Sequence, residues 1–301
     1  MKILIDTDPF VYRIAWAAQP NCYWVNNIPF DTKAEAVNYC CRHEFDIASI
    51  EKEQFLFSPR YVKQFVKAQL RPVVNNCATA LEEKEDADIC QIEVYWFLSS
   101  KVNARKFVDP EYKATRREPP RWREYVKQLI TDQKDPVIIK GLEADDVIAW
   151  KHYQNWTKGL DSCIVSIDKD LKNIPGHYYN PNTGLCESFS LDDCFQSFCK
   201  QFLTGDSSDN IPGIKGVAEN TANKLFEEFL SENHVDINDA FFKFKDFCIV
   251  KYAKDFADPE ERFNINFSLL DVGGVWSHIL NHPHHLEVQL RPLRGLQKQE
   301  D

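Results

Sequence analysis

Three carboxylates, Glu143, Asp145 and Asp146, fall within four positions of the stretch KGLEADDVIAW. Asp168 and Asp170 flank a lysine in SIDKDL, Asp206 and Asp209 stand three apart in GDSSDNIPGIKG, and Asp6 closes the opening run KILID. Oxygen ligands of this kind suit the hard cations Mg²⁺ and Mn²⁺. Gathered without a cation, they would repel and raise one another's pKa values. The chemistry that fits is two-metal phosphoryl transfer, in which paired ions stabilise the attacking and leaving oxygens. Each cluster also has a plainer explanation. Acids are favoured at helix starts by unpaired N–H groups and the positive dipole end, and Asp206 and Asp209 suit an Asx turn at a helix end.

Those acids need elements that bring them together. KILID is β-rich and ends at Asp6, PVIIK reads as a short buried strand before Glu143, and CIVSI ends just before Asp168. Ligands of open α/β sheets bind beyond the carboxyl ends of the strands, so these three ends would converge on one edge. QIEVYWFL is a further strand, and HYYNPNTG a strand leading into a turn. Helical spacing runs through PFVYRIAWAA, where Asp8 and Pro9 suit the N-cap and first helical position. It recurs over residues 34–48 and 59–70, in PPRWREYVKQLI and in EADDVIAWKHYQNW, while DKDLKNI reads as a turn with a short helix. Alternating strands and helices imply an α/β fold with a mostly parallel sheet. After about residue 190 the pattern turns helical, through LDDCFQSFCKQFLTG and ENTANKLFEEFL, and a boundary is expected there.

The net charge of −10 argues against coating nucleic acid by bulk charge. A local basic strip is nevertheless present: Lys101 to Lys127 holds nine Lys or Arg against four Asp or Glu. Within it Lys113 and Arg116 are three apart, a spacing that puts two cations on one side of a helix. Beside a metal site they could stabilise charge on a reacting phosphate; alone they would be a solvated face. Arg105, Lys106, Arg117 and Arg121 are candidate DNA contacts, and Tyr112 and Trp122 could stack on a base or simply pack. The glycine-rich PGIKGVAENTANKL offers Gly213, Lys215, Gly216, Ala218 and Lys224 to a DNA backbone. The ten cysteines form no C-x-x-C pair, which points to reduced thiols in a cytoplasmic protein. The opening residues do not read as a signal peptide, and no apolar run approaches a membrane span. The histidines of HILNHPHH (His278, His282, His284 and His285) read as surface residues, and the tail after Pro292 as frayed.

In order along the chain, the DTD strand end, DPEYKATR, GLEADDVIA, SIDKDL and GDSSDNIPGIKG resemble the 5′→3′ exonuclease and flap endonuclease family of bacteriophages and of the nuclease domain of DNA polymerase I. The resemblance implies a PIN-like core over residues 1–189 with a short arch at about 101–130. It implies a helical region over 190–301, with a helix–three-turn–helix DNA-binding element at about 203–230. It also implies hydrolysis of phosphodiester bonds at DNA 5′ ends, nicks or flaps, RNA–DNA hybrids included, by a monomer. Two Mg²⁺ ions, replaceable by Mn²⁺, are implied, with Asp6, Glu143 and Asp145 as ligands of the first, and Asp146, Asp168, Asp170, Asp206 and Asp209 as ligands or water-mediated neighbours of the second. Lys113 and Arg116 would approach the scissile phosphate, and the hairpin would admit K⁺. Ser100, or Ser99, stands where the family carries a further aspartate, and Ala218 replaces a glycine. A PIN-type ribonuclease and a non-catalytic junction binder are the competing readings.

Overall fold

The computed structural model describes residues 1–85, 91–232 and 237–281. His282, His284, His285 and the tail lie outside them. The chain divides into two compact units: residues 1–7, 74–117 and 136–301 form one, and 8–73 with 118–135 the other.

The first unit is built on a five-stranded sheet. Its central strand, Lys2–Asp6, pairs in parallel with Glu93–Phe97 on one side and Ser162–Val165 on the other. Ile3, Leu4 and Ile5 are fully buried, as a strand covered on both faces must be. Ser162–Val165 pairs in parallel with Gly176–Asn180, which turns back through an antiparallel edge strand, Leu185–Phe189. The sheet is therefore mostly parallel, as expected, and the carboxyl ends of its parallel strands share one edge.

PVIIK departs from expectation. Val137 bonds to Trp96 in the neighbouring edge strand and to Leu98 just beyond it, but this is an isolated bridge and not a strand. Val137, Ile138 and Ile139 are 39–44% exposed. An apolar run of this length fits a buried strand equally well, and only tertiary context separates the two.

Ala144–Thr157 packs its Ile148, Ala149 and Tyr153 onto the sheet. A polar pair inside this core fixes its register. His152 Nε2 lies 3.1 Å from the Pro175 carbonyl and Nδ1 lies 2.8 Å from Ser162 Oγ. Only the neutral ring with hydrogen on Nε2 donates to the carbonyl while accepting from the serine. Gly176 has φ +127°, and a Cβ there would lie 2.3 Å from His152 Nε2.

From Leu191–Thr204 onward the described residues of this unit are mostly helical, and they share their core with the sheet. One apolar cluster runs from Leu4 and Ile164 to Phe202, Phe244 and Ile279. Aromatic faces join its helices: Phe198 stacks on Trp276 at 4.9 Å, and Phe202 on Phe263 at 4.6 Å.

The second unit holds Asp8–Ala17, Pro59–Leu70 and Arg123–Lys134. Ser58 caps the Pro59 helix as a serine before proline should. This unit also contains a small antiparallel sheet, ordered Ile28–Phe30, Asn21–Val25, Glu51–Gln54, that the sequence pattern did not announce. The helix expected over 34–48 is Lys33–His43; it stops at Glu44, whose φ of 57° is left-handed.

Candidate active site

The acid-bearing helix start is partly a cap. Asp146 Oδ2 accepts from the Glu143 N–H at 3.2 Å, and Asp146 Oδ1 accepts from the Gly273 N–H at 2.9 Å. The plain explanation thus holds for Asp146. It does not account for Asp145.

Three basic side chains enter the cluster. Arg105 bonds Glu143 Oε2 at 3.1 Å and Asp146 Oδ1 at 2.5 Å. Lys113 Nζ donates to Glu143 Oε1 and lies 3.5 Å from Asp209 Oδ2. Its own N–H donates to the Asp209 carbonyl, and its φ of 58° is a conformation few non-glycine residues adopt. Arg116 reaches Asp209 Oδ1 at 2.6 Å. Lys113 and Arg116 therefore converge through loop geometry, not through a shared helix face. Lys113 and Arg105, with the Tyr112 hydroxyl, hold Glu143 below the ordinary carboxylate range despite its burial.

Two expected DNA contacts need correction. The Arg105 guanidinium is buried between Glu143 and Asp146, and Tyr112 is fully buried. The Tyr112 hydroxyl accepts from Arg105 and stands 2.9 Å from both Glu143 Oε2 and Asp209 Oδ2. From the sequence Arg105 reads as a DNA contact and Tyr112 as a stacking or packing residue; here both side chains organise acids.

Asp6, Asp145, Asp168 and Asp170 form the other part of the site. Ser166 Oγ donates to Asp6 Oδ2 at 2.8 Å and accepts from the Asp168 N–H at 3.0 Å, tying two strand ends together. Asp168 Oδ1 accepts from the Asp170 N–H, and Gln201 bonds Asp170 Oδ1. Asp145 is pushed well above the carboxylate range, first by its poorly hydrated surroundings and then by Asp168 and Glu143. Asp170 is pushed up to about 7 by burial, Asp168 and Asp206. Asp206 is instead held low by Ser208 and Lys169, against its own burial. Ser166, Lys169 and Gln201 were missed from the sequence; Lys169 lay in view between Asp168 and Asp170.

The two serines are told apart by their bonds. Ser100 Oγ donates to the Val102 carbonyl at 2.7 Å and accepts from the N–H groups of Val102 and Gly141 at 3.0 Å. It closes a turn. Ser99 Oγ accepts from the Ala144 N–H at 2.9 Å, so it is Ser99 that faces the acid-bearing helix.

Among the described residues no three carboxylate, thiol or imidazole groups stand preformed as a coordination sphere. The donor chemistry still fits Mg²⁺, which keeps several waters and needs only one or two carboxylates per ion. The raised Asp145 and Asp170 are the observation that fits a cation, since added positive charge would relieve their repulsion.

The glycine-rich segment has a structural duty as well. Gly205–Asp206 and Ile211–Pro212 pair antiparallel, and a Cβ on Gly213 would lie 2.3 Å from the Gly205 nitrogen. Gly216 has φ +78° with open space around it, and the Lys215 N–H donates to Asp255 Oδ2 at 3.0 Å. Lys215, Gly216, Ala218 and Lys224 are exposed at the start of Glu219–Glu232, as are Lys106 and Arg117 elsewhere in this unit. Arg121 is exposed in the second unit, where its N–H donates to Gln19.

In fold, the chain is similar to solved structures from phage T5. Phage T5 5′-exonuclease with bound divalent metal ions (zinc) aligns over 96% of this chain and 100% of its own, with TM-score 0.55 and 17% identity. The T5 D15 flap endonuclease in a pseudo-enzyme-product complex with DNA and metal ions aligns over 96% and 98%, with TM-score 0.51 and 17% identity. By sequence, the chain is a relative of DNA polymerase I and of a bacterial 5′-3′ exonuclease. It is 32% identical to the Caldicellulosiruptor bescii polymerase over 148 residues, 42% of this chain and 17% of that protein. It is 32% identical to the 5′-3′ exonuclease of Buchnera aphidicola over 148 residues, 44% of this chain and 51% of that protein. The chain thus spans about half of that exonuclease and under a fifth of that polymerase. No family model matches it.

Proposed function

We propose that the chain is a divalent-metal-dependent 5′→3′ exodeoxyribonuclease with 5′ flap activity. One observation carries this reading. Asp6, Asp145, Asp168 and Asp170 come from two strand ends, a helix start and a following turn, and Asp145 and Asp170 are raised by burial and then by their neighbours' charge. The similarity to proteins described as 5′-3′ exonuclease and flap endonuclease supports it.

Asp6, Glu143 and Asp145 would hold one Mg²⁺, and Asp168 and Asp170 the other, with Mn²⁺ able to replace both. Asp146, Asp206 and Asp209 are engaged by cations, and they would act through water or once those cations turn away. Bound metal would supply a nucleophilic water and charge stabilisation on the phosphate. Lys113 and Arg116 supply the mobile part. They hold Glu143 and Asp209 until a phosphate offers them a competing anion, and they then stabilise charge developing on it. Arg105 stays with Glu143 and Asp146 and keeps those carboxylates oriented. The segment around 203–230 would hold the duplex backbone through N–H groups and Lys215, with K⁺ as a candidate ion there. The substrates in this proposal are DNA 5′ ends, nicks and flaps, RNA–DNA hybrids included; the protein acts as a monomer in the cytoplasm.

The experiment is digestion of 5′-labelled duplex, flap and single-stranded RNA substrates with Mg²⁺ present and chelated. Release of short products from DNA 5′ ends is expected. Preferential cleavage of RNA would favour the ribonuclease reading, and binding without cleavage the junction-binder reading.

A further inference from the structure

An apolar surface lies on the first unit, apart from Asp168 and Asp170. Residues 101–108 and 137–142 run side by side, joined by a bridge between Asn103 and Gly141 and by Ser100 N–H to the Leu142 carbonyl. They expose Val102 at 45%, Phe107 at 83%, Ile138 at 44% and Ile139 at 43%. Next to them a cavity of about 700 Å³ is walled by Val108, Leu142, Val147, Trp150 and His278. Isolated exposed apolar residues are ordinary, but several on two paired segments beside a cavity point to an interaction site.

Charge selects the occupant. Lys101, Lys106 and Lys140 are exposed on the same two segments, and none forms an ion pair among the described residues. Phosphate backbones would satisfy the lysines but leave the hydrophobic wall and Phe107 in water. A peptide with carboxylates beside large apolar side chains satisfies both. We propose that this surface docks an acidic, apolar-rich peptide segment of a partner protein, with the apolar side chains in the cavity and the carboxylates on Lys101 and Lys140. Arg105 and Asp146 also line the cavity, so the docked peptide sits against the pair that orients Glu143. The proposal does not depend on the nuclease reading.

The test uses the full chain and a fluorescein-labelled synthetic peptide of alternating aspartate, leucine and phenylalanine, read by fluorescence anisotropy. The control peptide carries lysine in place of aspartate. Saturable binding of the acidic peptide alone is expected, weakening with salt. Ile139→Asp should weaken it about tenfold or more, as should the double change Lys101→Glu and Lys140→Glu, with circular dichroism unchanged. Either variant alone would suffice if the other failed to fold. Four results would overturn the proposal. They are equal binding of both peptides, displacement by duplex DNA, loss of the site through self-association, and no binding with Lys140 cross-linking to the chain's own residues beyond Asn281.

Discussion

Arg105→Ala removes the cation that joins Glu143 to Asp146. The side chains of all three are about 10% exposed, so solvent screens the resulting imbalance poorly. Loss of one partner from a buried ion pair costs about 3–5 kcal/mol, because the remaining charge stays buried without compensation. Two carboxylates lose a partner here, although Lys113 still holds Glu143 and two N–H groups still hold Asp146. The expected loss is therefore near the lower end, about 3 kcal/mol, in metal-free protein. It is read from the urea midpoint at unchanged slope. Mg²⁺ should restore part of it, since a ligand that binds only the folded state at a hundred times its Kd adds about 2.7 kcal/mol. Arg105→Lys keeps the charge but cannot bridge both acids, so it should fall between wild type and alanine. A loss below about 1 kcal/mol, the scale of an exposed pair, would refute the view that Arg105 organises the site.

His152 is neutral in the fold, with its pKa pushed down to about 4, chiefly by burial. The unfolded chain takes up this proton near pH 6.5, so the stability it confers is intact above that pH and falls as pH drops toward 4. At about 1.4 kcal/mol per pH unit the loss approaches roughly 3 kcal/mol, and His152→Gln should flatten that part of the stability–pH curve. Gly176→Ala should cost about 3 kcal/mol, from positive φ and the clash with His152, visible as a lower urea midpoint; an unchanged midpoint would show that the ring can move aside. Lys113→Ala should lower single-turnover cleavage about 100-fold while duplex affinity in Ca²⁺ stays nearly constant; collapse of affinity with the rate preserved would make Lys113 a docking residue.

The parts of the site legible in the sequence are those set by local pattern. Asp6 and Asp168 were placed because short β-rich runs end at or beside them, and Asp145 because a helical period begins there. What remained hidden depends on partners distant in sequence. Arg105 looked like a surface cation until Glu143 and Asp146, 38 and 41 residues away, closed around it. Tyr112 looked like a stacking residue because its bonds to Glu143 and Asp209 span 31 and 97 residues. PVIIK misled because the pattern records apolarity but not whether anything covers it. Ser99 and Ser100 could not be told apart without the turn that Gly141 completes.

The central claim is that Asp145 and its neighbours hold a divalent cation rather than merely ending a helix. The most direct measurement is single-turnover cleavage of 5′-labelled flap DNA against Mg²⁺ concentration for wild type and Asp145→Asn, alongside metal-free melting temperatures. The structure predicts cleavage that vanishes with chelation and in the variant, together with a higher metal-free melting temperature for Asp145→Asn, because a poorly hydrated carboxyl crowded by Asp168 and Glu143 has become a neutral amide. Cleavage that survives in the variant, with a lowered metal-free melting temperature, would contradict it and leave Asp145 as a structural acid.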